Sequence, residues 1–521
     1  MRSAWLSYWI SFSGVLRCCY TIYPMYHNAQ YDDNYVGTTT LCRRVWVHHL
    51  SEYGSRSQQD PVPSLSPSPS MKSHHLLLTA GSNAKGQLGI GSTSDAHTFA
   101  PCQFAGCEPH QLPDTVRVVQ IVCGANHTVL LLRHLDGSTT LWGSGDGRGG
   151  QLGPAYPREP EGGPEPWTIF HKLVLPLPDL ELHQPEDPSS GRVGYTYTHV
   201  AAAWETTYVV LARPGRSDVL LAMGSNAFGA LGVGEDEGHH VDMNTARVGE
   251  PRVVDFGHIF PEDAAHHNAP TRTICVRSLH AGPRHVVAEL VLARGDAYGS
   301  SSHSQMVLVG WGASRHGQLG QHAGARVVAR PTRLPIPIDE DPMVSCALGN
   351  QHTVVLHASG RISALGSNKQ GQIQIPSLGS RMRMCGLGCT WNGTYMQTID
   401  GDKHGLLSMG NNAQGQLGRG CTVGSTFAEM AVSLPVDRAI SSFVCGSEHV
   451  LAVMEPSASQ EGNSVVGWGW NEHGNMGLGS LGNITVPTQL WPRNDMEVYN
   501  KYPQRVIGIW AGCATSWLLV E

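Results

Sequence analysis

Four histidines occupy the same place in a recurring short phrase, and they are the first candidates for chemistry in this chain. They are His127, His285, His352 and His449, each placed three residues after a glycine and followed by a short apolar run. An imidazole can act as a general base or bind a metal ion. These histidines recur once per repeat unit, however, whereas a metal site needs ligands that converge on one point. We expect them to donate hydrogen bonds to loop carbonyl groups between neighbouring units.

Other patterns that carry catalytic chemistry are missing from the sequence. It contains no G-x-x-x-x-G-K-[ST] phosphate loop and no G-x-S-x-G nucleophile elbow. Its 13 cysteines mostly lack the closely spaced pairs of a zinc site. The pairs His239-His240 and His266-His267 flank an acidic stretch that we expect to be a solvated loop. We therefore predict a protein that is not an enzyme, with no catalytic residues, no metal and no cofactor.

The cysteines and the net charge restrict the compartment and the partners. Cys123 and Cys445 directly precede a glycine in the same repeated phrase, and Cys385 is placed similarly. Residues that return to one repeat position usually fill one buried strand site, so we predict buried, reduced thiols in a reducing compartment. The net charge of −7 provides no electrostatic attraction for nucleic acid or acidic lipid.

Two phrases alternate along most of the chain, and they define the elements that position these residues. The first phrase, G-x-N-x-x-G-Q-L-G or a weaker copy, begins at Gly81, Gly145, Gly224, Gly312, Gly366, Gly410 and Gly469. The second phrase, G-x-x-H-T or a degenerate copy, lies directly before Val129, Tyr208, Val287, Val354, Tyr395, Leu451 and Trp517. Short runs rich in Val, Leu and Thr, bounded by Gly and Asn, predict strands. Seven such units, each with about four strands, predict an all-β, seven-bladed propeller.

The order of the phrases at the two ends predicts how the propeller closes. The first phrase after residue 73 is of the G-x-N type, whereas the last, near Gly512, is of the G-x-x-H-T type. The C-terminal strand should therefore complete the blade that the strand before Gly81 begins, which removes open sheet edges. We assign the propeller to residues 73–521.

The first 72 residues lack the repeats. Residues 57–72 are rich in proline and serine and are expected to form a linker, and residues 1–56 are expected to be a disordered extension or a misassigned start. Met71 would be a natural initiator. The N-terminal apolar stretch weakly resembles a signal peptide but is diluted by serines, so we do not expect secretion.

The paired phrases resemble those of the regulator of chromosome condensation repeat family, and the resemblance covers residues 73–521. It implies a seven-bladed propeller of four-stranded blades. The founding member is an exchange factor for the small GTPase Ran, and an aspartate and a histidine in its G-x-x-H-T loops are central to exchange. In this chain the two positions after the loop glycine contain neither an aspartate nor a histidine. Glu205 and Glu448 are the only carboxylates there.

Residues at these two loop positions are the candidates for binding a protein partner, because aromatic residues and arginine are enriched at interface hot spots. The candidates are Trp204, Glu205, Arg284, Trp391, Asn392 and Glu448. Each tryptophan has the alternative of packing against a neighbouring blade. The strand residues Trp142, Trp311 and Trp468 are expected in the core, and no G-W-R-H-T phrase of the plant ultraviolet sensor is present, so we do not expect photoreception.

Two functions remain open at this point. One is a non-catalytic interaction scaffold or regulatory subunit in the cytoplasm or nucleus. Its layout resembles the fungal alpha-tubulin suppressor branch, whose members are partner subunits in pathways that modify tRNA wobble uridines and a translation-factor histidine. The alternative is a guanine-nucleotide exchange factor for a Ran-like small GTPase. Both functions predict protein partners, and neither predicts direct contact with nucleic acid or a membrane.

Overall fold

The computed structural model describes most of the repeat region. The described residues are 75–113, 115–157, 166–175, 194–234, 249–260, 272–294, 304–320, 325–376, 382–401, 403–420, 431–435, 438–456, 462–493 and 504–521. The predicted N-terminal extension, the linker and both histidine pairs lie outside these ranges. Within them, no helix has the length and hydropathy needed to cross a bilayer.

Seven antiparallel sheets form the blades of the propeller, and the first blade contains strands from both ends of the repeat region. Blade 1 consists of β1 (Leu76–Gly81), β2 (Ala96–Pro101), β25 (Val506–Ala511) and β26 (Thr515–Val520), in the order β2-β1-β26-β25. The register of β1 against β26 runs without a break from Leu76 opposite Val520 to Gly81 opposite Thr515. The predicted closure is confirmed.

The next three blades each have four strands in sequence order. Blade 2 contains β3 (Thr115–Cys123), β4 (His127–His134), β5 (Thr139–Gly145) and β6 (Trp167–Leu173). Blade 3 contains β7 (Thr196–Ala202), β8 (Thr206–Ala212), β9 (Val219–Gly224) and β10 (Arg252–Val253). Blade 4 contains β11 (Arg272–Ala281), β12 (His285–Arg294), β13 (Gln305–Ala313) and β14 (Val327–Arg333). Two short 3-10 turns, Ala227–Gly229 and Gly257–Ile259, lie in blade 3.

Two of the remaining blades have three strands among the described residues. Blade 5 contains β15 (Met343–Leu348), β16 (His352–His357) and β17 (Ile362–Gly366), and blade 6 contains β18 (Arg383–Thr390), β19 (Gly393–Asp400) and β20 (Lys403–Gly410). A single bridge from Leu407 to Ala431 occupies the fourth position of blade 6. Blade 7 contains β21 (Ile440–Cys445), β22 (His449–Met454), β23 (Ser464–Gly469) and β24 (Ile484–Trp491).

The hydrophobic core is divided among the blade interfaces. Seven apolar clusters are present, and each joins two consecutive blades, as when Trp311 of blade 4 packs with Tyr208 of blade 3. Each blade is therefore stabilised by burying apolar area against both neighbours, as in other repeat architectures. The strand tryptophans Trp142, Trp311 and Trp468 are buried, as predicted.

The cysteine prediction is correct at two of three positions. Cys123 and Cys445 are buried free thiols, but Cys385 is exposed. In blade 6 the buried thiol belongs to Cys389, at the end of the inner strand β18 where Cys123 and Cys445 end β3 and β21. Cys385 lies at a β-bulge of β18, between Met384 and Gly386, four residues before the position that Cys123 and Cys445 occupy in their strands.

Candidate functional site

The candidate residues lie in seven equivalent loops that connect the first and second strands of each blade, which we call the axial loops. The strands that precede these loops, β3, β7, β11, β15, β18, β21 and β25, contact one another in this order. In five axial loops the backbone N–H of the first loop residue donates a hydrogen bond to the loop of the next blade. The acceptor is the carbonyl group of the first residue of that loop or, in one case, of the glycine before it. These bonds are Ala125 to Trp204 at 2.8 Å, Trp204 to Pro283 at 3.0 Å, Asn350 to Trp391 at 2.8 Å, Trp391 to Ser447 at 2.8 Å and Ser447 to Gly512 at 3.1 Å. These bonds link the loops of blades 2 to 4 and, separately, those of blades 5 to 7 and blade 1; between blades 4 and 5 the series is interrupted at Pro283, which lacks an N–H.

A second set of bonds ties each axial loop to the G-x-N turn of its own blade. In all seven blades the carbonyl group at the second loop position accepts a hydrogen bond from the residue after the first turn glycine. The donors and acceptors are Ser82 and Ala514, Asp146 and Asn126, Ser225 and Glu205, Ala313 and Arg284, Ser367 and Gln351, Asn411 and Asn392, and Trp470 and Glu448. The six candidate residues therefore lie at one end of the ring.

The repeated asparagine closes each turn that carries it. The side-chain oxygen of Asn83 accepts a hydrogen bond from the Leu88 amide at 2.9 Å, and Asn412 does the same for Leu417 at 3.0 Å. This bond spans five residues and closes the glycine-rich turn on itself.

The repeated histidines join blade to blade, although their partners differ from the prediction. Each Nε2 contacts the hydroxyl group that follows the axial loop of the next blade, rather than a carbonyl group. The pairs are His127 and Thr207 at 2.9 Å, His285 and Thr353 at 2.9 Å, His352 and Thr394 at 3.2 Å, and His449 and Ser516 at 3.1 Å. Burial lowers the pKa of these histidines to between about 3 and about 4, so they are neutral at pH 7.

Metal binding has no support in the part of the chain that the structure describes. No group of three or more His, Cys, Asp or Glu side chains converges there. Two of the hydroxyl partners in turn donate to the adjacent turn: Thr353 to the Gln318 carbonyl group at 2.8 Å and Thr394 to the Gln372 carbonyl group at 2.6 Å. The histidines therefore connect the blades through Nε2, while their Nδ1 atoms are buried without a hydrogen-bond partner among the described residues.

Glu448 lies beneath the surface of the axial end. Its side chain is buried, with 7% of the residue exposed, and it accepts hydrogen bonds from the Gln416 amide at 2.9 Å and the Asn392 amide at 3.3 Å. Because these donors are uncharged, burial dominates and raises the pKa of Glu448 to about 7. Asn392 and Trp391 are half-buried beside it. Sequence reasoning brought these residues to one place but did not predict which of them is buried.

The other carboxylate candidate has a different environment. Glu205 is exposed as a residue, and Trp204 beside it is half-buried. Partial burial of the carboxyl group, followed by the nearby Asp146 carboxylate, raises the pKa of Glu205. Asp146 itself pairs with Arg148, whose Nη2 lies 2.5 Å from the carboxylate.

An exposed aromatic residue that sequence reasoning missed lies next to Arg284. The guanidinium carbon of Arg284 lies 4.9 Å from the centre of the Phe228 ring. Phe228 belongs to the turn of blade 3, is 46% exposed and has a positive φ of 59°. A left-handed backbone is costly for a bulky residue. The signal was present, because the other six copies of the turn have Lys, Gly, His or Gln at this position.

Comparison with known proteins agrees with this architecture. The regulator of chromosome condensation (RCC1) repeat model matches residues 74–131, 308–356 and 403–453. The chain is 25% identical to the ultraviolet-B receptor UVR8 of Arabidopsis thaliana, over 78% of this chain and 75% of the receptor. It is 23% identical to the secretion-regulating guanine nucleotide exchange factor of Mus musculus, over 79% and 78% of the two chains. An RCC1 repeat-containing protein of Schizosaccharomyces pombe is 24% identical, over 86% of this chain and 99% of that protein.

Solved structures share the fold at low sequence identity. Human WBSCR16 has a TM-score of 0.57 and 16% identity, over 86% of this chain and 99% of that one. Prp20p of Saccharomyces cerevisiae, described with its binding properties to Gsp1p and histones, also has a TM-score of 0.57 and 16% identity, over 86% and 92%. These likenesses agree with the seven-bladed propeller.

Proposed function

Because the chain belongs to the regulator of chromosome condensation repeat family, we propose that it is a non-catalytic regulatory subunit whose protein partner docks on the axial end. The observation that carries this proposal is the stacked pair of Phe228 and Arg284. It presents an exposed aromatic ring and a cation from two neighbouring blades. Buried aromatic and arginine side chains supply much of the binding energy in protein interfaces.

The surroundings of this pair also favour a protein partner. Trp204, Trp391 and Asn392 are half-buried at the same end, and Glu205 adds an exposed carboxyl group. This mixture of aromatic, cationic and anionic side chains is typical of a protein interface and lacks the basic excess of a nucleic-acid surface. Glu448 would act from below, by positioning Asn392.

Backbone hydrogen bonds support the proposal through rigidity. Every axial loop is bonded to its own turn, and five loops donate a further bond to the loop of the next blade. A surface fixed in this way loses little conformational entropy on binding. We expect the chain and its partner to form a complex in the cytoplasm or nucleus. The chain would be a subunit of the alpha-tubulin suppressor type, and the complex would act in a pathway that modifies tRNA or a translation factor.

A second candidate function is guanine-nucleotide exchange on a small GTPase. It is favoured by the similarity to the mouse secretion-regulating guanine nucleotide exchange factor. Exchange factors act by coupling two binding equilibria, so the same docking surface would serve. The chain would have to use Glu205, since the loop aspartate expected from the family resemblance is missing.

Affinity purification of the tagged full chain from its native cells tests both functions. One half of the lysate is stripped of nucleotide with EDTA, and the other half retains magnesium and GTP. The comparison includes a Phe228→Ala, Arg284→Ala double variant. The control is Leu135→Ala, at an 86% exposed leucine in the hairpin between β4 and β5 at the opposite end of the ring.

A partner retained equally in both halves, lost from the double variant and kept by the control would support the regulatory subunit. A small GTPase retained only after stripping would instead favour the exchange factor. Release of labelled GDP at substoichiometric protein would then have to accelerate. Retention by the double variant at the level of the unmodified chain would refute docking on this surface.

A further inference from the structure

Blade 5 lacks its outer strand among the described residues, and the chain between its third strand and the next blade is short. From Gly366 at the end of β17 to Arg383 at the start of β18 the chain advances 17 residues, against 31 from Gly312 to Met343 in blade 4. The outer strands of blades 1, 2, 4 and 7 contain six to eight residues. Residues up to Pro376 are described without regular structure.

The backbone of β17 consequently has no strand partner on its outer side among the described residues. In four other blades the carbonyl group four residues before the first turn glycine accepts an amide from the outer segment. These bonds are Cys102 to Leu77, Val254 to Leu220, Leu334 to Leu308 and Val432 to Leu406, each at 2.8 or 2.9 Å. The corresponding carbonyl group in blade 5 belongs to Ile362, and no described residue donates to it. All five residues of β17 are half-exposed, unlike the other third strands.

The turn of blade 4, which faces the outer-strand position of blade 5, also lacks a contact there among the described residues. The middle glycine of a turn normally touches the outer strand of the next blade. A Cβ atom placed on Gly86 would lie 2.8 Å from the Trp167 carbonyl oxygen, and one on Gly474 would lie 2.6 Å from the His97 Cα atom. A Cβ atom on the equivalent Gly317 of blade 4 would meet nothing within 4 Å.

The space between these two surfaces is a cleft of about 660 Å³ between blades 4 and 5. Its lining includes Gly317, Gly320, Leu334, Leu365 and Arg333. In blades 1 and 2 the space above the last turn glycine of the preceding blade is filled by an outer-strand phenylalanine, as where Phe170 lies against Gly89. Gly320 occupies the corresponding place in the cleft. The part of the cleft above Gly320, which we call the slot, therefore has room for an aromatic side chain on an added strand.

Charge further restricts what the slot would accept. Arg333 is exposed at the edge of the cleft, and its guanidinium group donates to the Ile259 carbonyl oxygen rather than to a carboxylate. The residues that line the cleft include no aspartate or glutamate. An occupant with a carboxylate near Arg333 would complement this charge.

We propose that blade 5 is a strand-acceptor site, in which an extended segment of a partner protein supplies the outer strand. The segment would pair with β17 through Ile362, place a large apolar side chain over Gly320 and carry a carboxylate near Arg333. Strand addition of this kind draws affinity from main-chain hydrogen bonds and specificity from alternate side chains. This site is separate from the axial surface, so the inference does not depend on the function proposed above.

A labelled peptide of residues 166–173, PWTIFHKL, is the probe, because it is the outer strand of blade 2 and contains Phe170. A second peptide carries Lys172→Glu, which places a carboxylate at the end expected near Arg333. We expect saturable binding of both peptides to the full chain. The second should bind about two- to fivefold more tightly at low salt, and the difference should shrink as salt is added.

Two variants and one exchange measurement locate the binding. Leu365→Lys, at a half-exposed position of the cleft, should weaken binding at least about tenfold, whereas Leu481→Lys, at a 48% exposed site on blade 7, should leave it unchanged. In the unmodified chain, hydrogen exchange at the Ile362 and Ala364 amides should be fast and should slow when the peptide is added.

Three results would overturn the proposal. They are the absence of saturable binding, protection that appears on β5 instead of β17, and β17 amides that are as protected as those of β13 before any peptide is added. The last result would mean that the chain fills its own slot. The exchange measurement uses the unmodified protein, so it decides the matter even if Leu365→Lys does not fold.

Discussion

Glu448 has its carboxyl group between two side-chain amides rather than beside a cation. The N–H groups of Gln416 and Asn392 favour the ionised carboxylate, but burial outweighs them and raises the pKa of Glu448 to about 7. The folded state therefore binds a proton more strongly than the unfolded chain does. Its stability contribution is fully present below the unfolded pKa of about 4.5 and is lost as the pH rises through about 7.

Replacement of this carboxyl group by an amide should remove that loss. Glu448→Gln mimics the neutral acid, so relative to the unmodified chain it should gain about 2 kcal/mol of unfolding free energy between pH 5.5 and pH 8.5. Denaturant unfolding at the two pH values measures the gain. Glu472→Gln, at an exposed glutamate of blade 7, is the control and should show no pH-dependent difference. An equal response of both variants would contradict the raised pKa.

The buried histidines give a pH dependence of the opposite sign. Burial lowers the pKa of His285 to about 3. As the pH falls, the histidine therefore becomes protonated near pH 6.5 in the unfolded chain but stays neutral in the folded state until about pH 3. The stability is fully present above pH 6.5 and falls with the pH down to about 3. His285→Gln retains a polar group near Thr353, and between pH 7 and pH 5 it should lose about 2 kcal/mol less than the unmodified chain. Identical losses in a pH series of thermal melts would show that His285 is not the titrating group.

Residue types at the candidate site followed from the sequence, but their exposure did not. The hydrogen bonds from the turns to Glu205 and Asn392 show that the degenerate loops were aligned correctly. Whether a loop side chain points outward depends on its neighbours in adjacent blades, which a repeat pattern does not encode. Glu448 is consequently buried by Gln416, while Phe228 is exposed and stacked on Arg284.

At the scale of elements, the first glycine of each turn is required by a close approach between turn and axial loop. Gly366 has a φ of 109°, and a Cβ atom on it would lie 2.2 Å from the Gln351 carbonyl oxygen. Gly360, in the hairpin between β16 and β17, has a similar φ of 85°, but a Cβ atom there would meet nothing within 4 Å. Comparing substitutions at these two glycines therefore distinguishes the cost of backbone strain from the cost of a steric collision within one blade.

Alanine at these two glycines should have unequal costs. Gly360→Ala should destabilise the protein by about 1–2 kcal/mol through the left-handed backbone alone. Gly366→Ala adds the collision with the axial loop and should cost about 3–4 kcal/mol. Parallel denaturant titrations give both values. Costs that agree within error would mean that the loop relaxes freely and that the glycine is kept for its backbone conformation only.

The seven turns were predictable because each has glycine at fixed spacing, and the axial loops were predictable because five of the seven retain the preceding glycine. The outer strands were not, because they carry no recurring phrase and pack mainly on the turn of the preceding blade. Blade 5 illustrates the limit. Its turn from Gly366 retains enough of the phrase to predict a complete blade, yet the chain reaches β18 after 17 residues, and no described residue pairs with the outer side of β17 as a strand.

At the scale of the whole molecule, closure between the two ends of the repeat region holds the ring together. Strand β26 pairs with β1 on one side and with β25 on the other. The side chains of His75 and Glu521 are 3.1 Å apart, so the ends of the described region meet. The seven blade interfaces are otherwise alike, which implies that the position of the chain break matters less than the integrity of every blade.

A circular permutant tests this implication. Residues 75 and 521 are joined by a short glycine-serine linker, and the chain is opened between Gly215 and Arg216, in an exposed turn between β8 and β9. Because all seven blades are retained, the permutant should fold and melt within a few degrees of the 75–521 chain in its natural order. Deletion of residues 512–521 removes β26 and leaves β1 and β25 without their shared partner, so that chain should aggregate or bind hydrophobic dyes. If the deletion variant instead melted cooperatively near the parent temperature, the ring would not depend on closure, and each blade interface would be stable without its neighbours.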